Sequence, residues 1–354
     1  MVAYFERCRQ KISRWLESFL RSRSGDLDAV SPLGRDLGHR LGRFALQGKM
    51  LRGGLVFLGA GLAGRGGEDE AEAAAGAAME LFQSGLLAHD DIMDRDRTRR
   101  GQATLYCQYA DEAERQGAQD PLHLGQSLGI CAGDAAFFLG FEVLSGPPVA
   151  PEARAGILRL CARELAQVAV AQMQDVSWGA ARDPADEREI LRLYTYKTGR
   201  YTFSLPLLAG ALLAGCGPQE LAPLERLGEC LGVLFQIRDD ELGLLGDERV
   251  LGKPVGSDVR EGKQTLLHVR LLARATGATA ARLRGIFGNP ASGEAELEYV
   301  RRQVEGLGVL AEVRGLAAGY AGEASRLIGD LPGSRAEEQG VLRELLRYVS
   351  ERNR

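Results

Sequence analysis

The chain contains two acidic stretches far apart, HDDIMD at residues 89–94 and QIRDDE at residues 236–241. Asp90 and Asp94 are four residues apart, so on a helix their carboxylates point the same way. Such like charges repel each other unless a cation lies between them. Mg²⁺ suits this ligand set, because it prefers hard oxygen ligands and often bridges carboxylates to substrate phosphates. Arginine or lysine follows each stretch and can bind the remaining phosphate oxygens, so the pair predicts a diphosphate site built from two helices.

The composition is that of an ordinary globular chain. Of its 354 residues, 45% are apolar and 26% are charged, and the formal net charge is −4. This near balance argues against nucleic acid as the main partner. Six cysteines show neither metal-type nor redox-type spacing, so we expect small buried thiols in a reducing cytoplasm. No apolar run looks long and uncharged enough to span a bilayer.

Helical periodicity covers almost every stretch between turn signals, and no alternating strand pattern stands out. No Pro/Ser-rich linker divides the chain, so the sequence predicts a single all-α domain over residues 1–354. Both acidic stretches end long predicted helices, which places them at the mouth of a helical bundle whose interior can hold an apolar chain. The predicted helices are about 2–22, 35–46, 50–63, 68–94, 121–145, 151–178, 186–200, 203–214, 219–244, 262–287, 293–304, 308–328 and 335–352.

The N-terminal segment, residues 1–30, predicts an amphipathic helix. Apolar residues from Tyr4 to Leu20 recur at helical spacing, with basic residues between them. Such a helix can pack on the rest of the fold or lie on a membrane surface. Membrane contact is possible, but we expect packing, because amphipathic helices mostly face a core.

Five motifs in the correct order resemble those of the trans-isoprenyl diphosphate synthases, the polyprenyl synthetases. They are GKMLR at 48–52, ELFQ and HDDIMDRDRTRRG within 80–101, KTG at 197–199, FQIRDD at 235–240 and the loop GKPVGSDVREGK at 252–263. A lone DDxxD is weak, whereas five ordered elements are specific. The resemblance implies an all-α bundle of the isoprenoid synthase type around a central apolar pocket. It also implies a trans-prenyltransferase similar to the geranylgeranyl diphosphate synthases.

The resemblance implies a role for each matched position. Asp90 and Asp94 would bind two Mg²⁺ ions and Asp239 a third, so three per site, bridged by the allylic diphosphate. Asp91, Asp240 and Asp258 would act behind these ligands or through metal-bound water. The catalytic positions near the allylic diphosphate and its reacting carbons would be Lys197, Thr198, Gln236 and Lys253. The positions that bind the diphosphates of the allylic substrate and of isopentenyl diphosphate would be Lys49, Arg52, Gln83, Arg99, Arg100 and Lys263.

The residue types fit Mg²⁺-dependent chain elongation. Breaking the allylic C–O bond releases diphosphate, whose negative charge metals and cationic side chains stabilise. Apolar walls protect the allylic carbocation from water while the double bond of isopentenyl diphosphate attacks it and a proton is lost. No side chain stands out as the base, and the family suggests the released diphosphate.

Product length is expected to depend on the residues just before the first acidic stretch, which line the floor of the elongation pocket in the family. Gly85 and Leu86 carry no aromatic ring, so Gly85 is expected to open the pocket past three isoprene units. Phe82 lies on the same face, about 12 Å along the helix from Asp90, and would stop growth at geranylgeranyl diphosphate. Alternatively, Phe82 packs against a neighbouring helix and the floor lies elsewhere, for example at Met79. Farnesyl and geranylfarnesyl diphosphate stay open as products.

Three departures from the family pattern stand out. Gly53 and Gly54 follow Arg52 where proline is common, Gln83 replaces a common histidine, and Gly243 stands where the second motif often ends in aspartate. Activity is expected to survive, because the positions expected to bind metal and phosphate are present.

Two rival functions remain. A class I terpene cyclase shares the aspartate motif, but it would not need Lys49, Arg52 and Arg100 for a second diphosphate. A non-catalytic partner subunit is the other rival, and the intact acidic and basic positions argue against it. Because family members are commonly homodimers, we expect a homodimer.

Overall fold

Helices account for nearly all of the described chain. The structure is a computed structural model that describes residues 1–64, 70–179, 184–246, 255–331 and 336–351. The first helices are α1 (Val2–Val30), α2 (Pro32–Leu46), α3 (Leu51–Leu62), α4 (Glu70–Met93), α5 (Leu105–Arg115), α6 (Pro121–Ser145) and α7 (Pro151–Gly179). The later ones are α8 (Glu187–Leu193), the π-helix π1 (Tyr194–Ser204), α9 (Leu205–Leu213), α10 (Pro218–Leu245), α11 (Ser257–Glu261), α12 (Leu266–Arg274), α13 (Gly277–Ile286), α14 (Glu294–Gly306), α15 (Val309–Asp330) and α16 (Ala336–Ser350). The predicted all-α fold class is confirmed.

A short hairpin interrupts the helices directly after the first acidic stretch. Strands β1 (Thr98–Arg99) and β2 (Gln102–Ala103) pair antiparallel. The two residues of the turn, Arg100 and Gly101, have φ angles of 52° and 75°. Two successive left-handed residues are typical of the tight turns that match the twist of a hairpin. The sequence analysis does not predict this hairpin, which carries both arginines of the first motif.

The chain divides into two compact units. The first comprises Met1–Leu160 with Pro206–Gly217, and the second comprises Cys161–Leu205 with Pro218–Arg354. The first acidic stretch belongs to the first unit and the second stretch to the second unit. The prediction of a single domain over residues 1–354 stays a prediction.

In the first unit, α4 is enclosed by other helices over much of its length. Every residue from Ala71 to Phe82 is buried, so this helix is enclosed on all sides rather than along one stripe, and the run includes the acidic Glu72 and Glu80. Helix α1 buries Cys8, Ile12, Leu16 and Leu20, so the apolar stripe of the N-terminal helix packs on the fold. The side chain of Ile12 reaches the glycines of α3 and α4. These contacts fix the direction in which α4 presents its acidic C-terminal end.

In the second unit, π1 crosses α10 at glycine. A Cβ on Gly232 would overlap the backbone of Gly199, and one on Gly228 would overlap Ser204. Backbones that approach this closely bring the side chains on either side of the crossing within hydrogen-bonding distance. The crossing therefore positions the second acidic stretch against the KTG motif.

Several predicted element bounds are wrong. α1 continues to Val30 instead of ending near residue 22, and residues 105–115 form α5, which the periodicity does not predict. The helix predicted over 262–287 is two helices, α12 and α13, because the backbone at Ala275 is extended (ψ 139°). The separate helices predicted over 186–200 and 203–214 run on through π1 without a break.

Helix α6 corrects the expectation that no segment is apolar enough to cross a bilayer. Within the described residues, α6 is long and apolar enough by length and composition, with a mean hydropathy of 1.5 over an 18-residue window. In that window 44% of the residues are buried inside the chain, and core helices pass the same test.

Candidate active site

The C-terminal end of α4 presents Asp90 and Asp94 one turn apart. The Asp94 N–H donates to the Asp90 carbonyl at 2.8 Å, so the helical register continues to Asp94. The helix then stops at Arg95, whose φ of 58° is left-handed, and the Asp96 N–H returns to the Asp91 carbonyl at 2.8 Å. This is the backbone geometry that commonly closes a helix. Both predicted metal ligands of the first stretch are half-buried, and their carboxylates lie on one side of the helix end.

Asp91 lies behind these two ligands and pairs with Arg99. The Asp91 carboxylate is fully buried, and the Arg99 Nε donates to its Oδ1 at 2.5 Å. Burial raises the pKa of Asp91 to about 6, against the opposing effect of the Arg99 charge. The pair orients Arg99, which the family resemblance places on the allylic diphosphate, and the expected role of Asp91 behind the metal ligands stays a prediction.

A second, cationic group in the same unit combines Arg52, Arg100 and the buried Glu80. The guanidinium of Arg100 lies against Gly48, where an added Cβ would be 3.3 Å from Nη1. The Gly53 N–H donates to Glu80 Oε1 at 2.9 Å, which ties α3 to α4. Burial lowers the pKa of Arg100, and the charges of Arg99 and Arg52 lower it further while that of Glu80 raises it. Because the guanidiniums of Arg99 and Arg52 disfavour the charge on Arg100, this cluster suits an anion such as diphosphate.

The other members of the expected isopentenyl diphosphate site lie in the same unit. Lys49 is exposed at the start of α3, and Gln83 is half-buried one turn after Glu80 on α4. The departure at Gly53 has a structural reason, because its N–H is the donor to Glu80 and proline has none. A Cβ on Gly54 would overlap the ring of Phe5.

In the second unit, Asp240 is held by hydrogen bonds at both carboxylate oxygens. Tyr194 Oη donates to Oδ2, and Gln236 Nε2 donates to Oδ1 at 2.8 Å. Thr198 Oγ1 in turn donates to Gln236 Oε1 at 2.8 Å. Burial raises the pKa of Asp240 to about 8, and the nearby charge of Asp258 adds to the rise. The structure thus joins Thr198 and Gln236, both predicted near the reacting carbons, to the second acidic stretch.

Asp258 lies where the missing last residue of the second motif would point. A Cβ on Gly243 would be 2.8 Å from Asp258 Oδ2, and the Gly256 N–H donates to the Gly243 carbonyl at 2.8 Å. Asp239, the neighbour of Asp240 in the second acidic stretch, is half-buried. The carboxylate of Asp258 thus takes up the space that an aspartate side chain at position 243 would need.

The predicted catalytic lysine Lys197 and the predicted substrate-binding lysine Lys263 each have an acidic partner. Lys197 forms an ion pair with Asp175 of α7, and Lys263 pairs with Glu261 at 3.2 Å. Lys253 lies outside the described residues, so its predicted role stays a prediction.

The acidic residues fit Mg²⁺ that arrives with a phosphate ligand. Within the described ranges, no group of three or more His, Cys, Asp and Glu side chains could hold a metal ion by itself. Besides burial, the charges of Asp96 and Asp90 raise the pKa of Asp91. A cation brought to them would relieve that repulsion. Mg²⁺ needs only one or two carboxylates together with waters and substrate phosphates, so this donor set is sufficient.

Gly85, one of the positions predicted to control chain length, lies directly against α6. A Cβ on Gly85 would be 2.8 Å from the carbonyl oxygen of Gly133 and 3.0 Å from the ring of Phe137, both on α6. The missing side chain therefore lets α6 approach α4, while the expectation that Gly85 opens the pocket past three isoprene units stays a prediction. Leu86 is half-buried beside it.

Phe82 packs against α6 one turn further from the acidic stretch. Its ring is fully buried, lies 5.0 Å from that of Phe141 and fills the place of a Gly140 side chain. The alternative that Phe82 packs on a neighbouring helix is therefore confirmed as a contact, while its role as a floor stays a prediction. Phe137 and Phe141 are half-buried, so α6 supplies aromatic rings at two successive levels.

Two contributors escaped the sequence analysis. Tyr194 is the partner of Asp240, and Glu80 is the partner of Gly53. The four-residue spacing of Tyr194 and Thr198 could have indicated a shared face, but nothing local marks the π-helix that carries them. Glu80 is the first residue of the ELFQ motif, but its burial depends on packing between distant segments, which the motif does not indicate.

Comparison with known proteins places the chain in one family. The family described as polyprenyl synthetase matches residues 41–304. A short chain isoprenyl diphosphate synthase of Methanothermobacter thermautotrophicus is 34% identical over 245 residues, 68% of either chain. A geranylgeranyl diphosphate synthase of Sulfolobus acidocaldarius is 33% identical over 276 residues, 77% of this chain and 76% of that one. The crystal structure of geranylgeranyl pyrophosphate synthase from Corynebacterium glutamicum, complexed with isoprenyl diphosphate and magnesium, matches with a TM-score of 0.89 at 27% identity, covering 98% of this chain and 99% of that one.

The chain belongs to the polyprenyl synthetase family, because the matched segment is well over half of its length. It is a trans-prenyltransferase, an enzyme that elongates isoprenyl diphosphates.

Proposed function

We propose that the enzyme condenses isopentenyl diphosphate with an allylic diphosphate (dimethylallyl, geranyl or farnesyl) to give geranylgeranyl diphosphate and diphosphate. One observation carries this proposal. The first unit has an acidic group, Asp90 with Asp94, and a separate cationic group, Arg52 with Arg100. Two kinds of site suit two diphosphates, one bound through metal and one bound by guanidinium. A terpene cyclase binds a single diphosphate and has no use for the second site.

The residues of the candidate active site can each be given a task in this reaction. Bound at these carboxylates, Mg²⁺ would neutralise the charge that develops on the departing diphosphate. Arg99, held by Asp91, orients toward the allylic diphosphate, while Arg52 and Arg100 bind the diphosphate of isopentenyl diphosphate. Thr198 and Gln236 direct oxygen dipoles at the allylic cation. We propose three Mg²⁺ per active site, two at Asp90 and Asp94 and one at Asp239.

The proposed product length follows from the rings that α6 places beside α4. Phe137 faces Gly85, five residues before Asp90, or about 7.5 Å along the helix, and Phe82 with Phe141 follows at about 12 Å. We propose that the second level ends the chain at four isoprene units, and that Phe137 only narrows the pocket at the first. The name of the Sulfolobus relative supports this product.

We also propose a homodimer, supported by the exposed apolar surface of α6. Phe138 is 72% exposed, Leu122 48%, Ile130 46% and Leu124 41%, and apolar surface of this kind is typical of protein interfaces. Light scattering should give twice the chain mass, and Phe138→Asp should shift it toward the monomer. An unchanged dimer in that variant would place the interface elsewhere.

We place the enzyme in the cytoplasm, where its six free thiols would stay reduced.

Product analysis tests the function. Purified protein receives Mg²⁺, isopentenyl diphosphate and, separately, each allylic diphosphate, and the dephosphorylated products are sized. We expect a four-unit prenol from every starter, and we expect Asp90→Asn to abolish it while Asp111→Asn, on the exposed face of α5, leaves it unchanged. A three-unit end point would make Phe137 the floor. Cyclic hydrocarbon formed without isopentenyl diphosphate would identify a cyclase, and no turnover at all would favour a partner subunit.

A further inference from the structure

The buried hydroxyl of Tyr194 joins three separate segments of the second unit. The side chain is 4% exposed at the first residue of π1. Its Oη donates to Asp240 Oδ2 on α10 and accepts from the Leu266 N–H at 3.1 Å. Leu266 is the first residue of α12 and follows Lys263 by three positions. Through this one oxygen, the second acidic stretch is fastened to the backbone that follows the lysine-bearing loop.

The same two helices repeat the contact one turn away. Tyr194 and Thr198 are four residues apart on π1, and Asp240 and Gln236 are four apart on α10. Tyr194 meets Asp240 through Oη and Oδ2, and Thr198 meets Gln236 through Oγ1 and Oε1 at 2.8 Å. Gln236 closes the network by donating to Asp240 Oδ1 at 2.8 Å. Both carboxylate oxygens are therefore fixed, although the terminal torsion of an aspartate has a broad energy minimum when it has no partners.

We propose that Tyr194 is a positioning residue that holds the Asp240 carboxylate in the orientation in which the second acidic stretch accepts Mg²⁺ with diphosphate. The inference rests on the proposed function and adds a residue that contacts neither substrate nor reacting atoms. Without the hydroxyl, Asp240 Oδ2 and the Leu266 N–H both lose a buried partner. The carboxylate then reorients to recover one, and the arrangement around the neighbouring Asp239 changes with it.

Tyr194→Phe tests the proposal, with Tyr196→Phe as its matched control. Both variants remove one hydroxyl from the same π-helix and keep the ring, so the fold should persist. Tyr196 is half-buried, and its ring packs under the Arg200 guanidinium at 5.7 Å. Calorimetry would measure inorganic diphosphate binding over a series of Mg²⁺ concentrations, and initial rates would give the Mg²⁺ concentration for half-maximal velocity.

We expect Tyr194→Phe to raise both Mg²⁺ midpoints by about tenfold, the lower end of the range for losing an outer partner of a metal site, because Asp240 itself lies behind the expected ligand Asp239. At saturating Mg²⁺, kcat should recover most of its value, and Tyr196→Phe should match the wild type throughout. A lower melting temperature without a shift in either midpoint would mean a merely structural role and would overturn the proposal.

A double-mutant cycle adds a second decision. If Tyr194 acts through Asp240, adding Tyr194→Phe to Asp240→Asn should change the Mg²⁺ midpoint little further, whereas independent effects would multiply. Multiplying effects would overturn the proposal. Failure of the proposed function itself would look different, because the wild type would form no elongated prenol. The calorimetric midpoints would still decide the role of Tyr194 in that case.

Discussion

Replacing Phe82 by alanine separates two roles that its burial leaves open, core packing and the floor of the elongation pocket. The ring is fully buried against Phe141 at 5.0 Å between centroids. Truncating such a ring costs roughly 3–5 kcal/mol, which lowers the melting temperature by roughly 5 °C in a chain of this size. That loss is expected whether or not the prenyl chain reaches Phe82. Product length is therefore the informative measurement.

The expected lengthening can be worked out from α4. The next large buried side chain on this face is Met79, which is 1% exposed and lies three residues further on, or about 4.5 Å along the helix. That is close to the reach of one more isoprene unit. Phe82→Ala should therefore turn a four-unit product into a mixture dominated by five units.

The matched control is Phe57→Ala in α3. Phe57 is a phenylalanine of the same unit that is 3% exposed, so its truncation should lower stability by a similar amount. Both variants and the wild type would be incubated with farnesyl diphosphate, isopentenyl diphosphate and Mg²⁺, below their melting temperatures, and their prenols sized. If Phe82→Ala melts early yet keeps the wild-type product distribution, as Phe57→Ala should, the ring is core packing and the length argument is refuted.

Three further perturbations have defined outcomes. Arg100→Ala should raise the KM for isopentenyl diphosphate by about tenfold or more, the loss expected for a charge-assisted hydrogen bond, and leave the KM of the allylic substrate nearly unchanged; an equal rise in both would contradict separate sites. Gly243→Asp, which restores the common motif, should reduce activity and stability because its Cβ would be 2.8 Å from Asp258 Oδ2, whereas Gly319→Asp, where an added Cβ meets nothing within 4 Å, should have little effect. Burial raises the pKa of Asp240 from 3.8 to about 8, so between these values the folded protein in chelator retains a proton that the unfolded chain releases. The free energy of unfolding should therefore fall as pH rises toward about 8. Asp240→Asn should flatten this slope, and an unchanged slope would show that other groups cause it.

The sequence predicted the features that depend on local pattern. Helical period and the two acidic stretches determine α4 and α10 and place Asp90 and Asp239 near their ends. Features that depend on contacts between distant segments were missed. Gly85 reads as open space in the sequence, yet the space is taken by Phe137, fifty-two positions later. The hairpin that carries Arg100 has two-residue strands, too short for any alternating pattern.

The π-helix is the clearest case of structure that local propensity does not indicate. Residues 194–204 contain β-branched and aromatic side chains and a glycine, which are poor helix formers, and wider helical turns of this kind occur mostly at functional sites. Here the crossing of Gly199 and Gly232 explains why the segment stays helical, because α10 packs directly on its backbone.

Glu80 fixes the backbone that carries one arginine of the cationic group in the first unit. Its carboxylate is buried, and that burial raises its pKa against the opposing effects of the Gly53 hydrogen bond and the Arg52 and Arg100 charges. A fully exposed carboxylate at this position would be solvated and would not tie α3 to α4. Glu80 instead directs one oxygen to the Gly53 N–H and so fixes the first turn of α3, which carries Arg52. The anion site is thus set from behind by a buried carboxylate whose hydrogen bond ties α3 to α4.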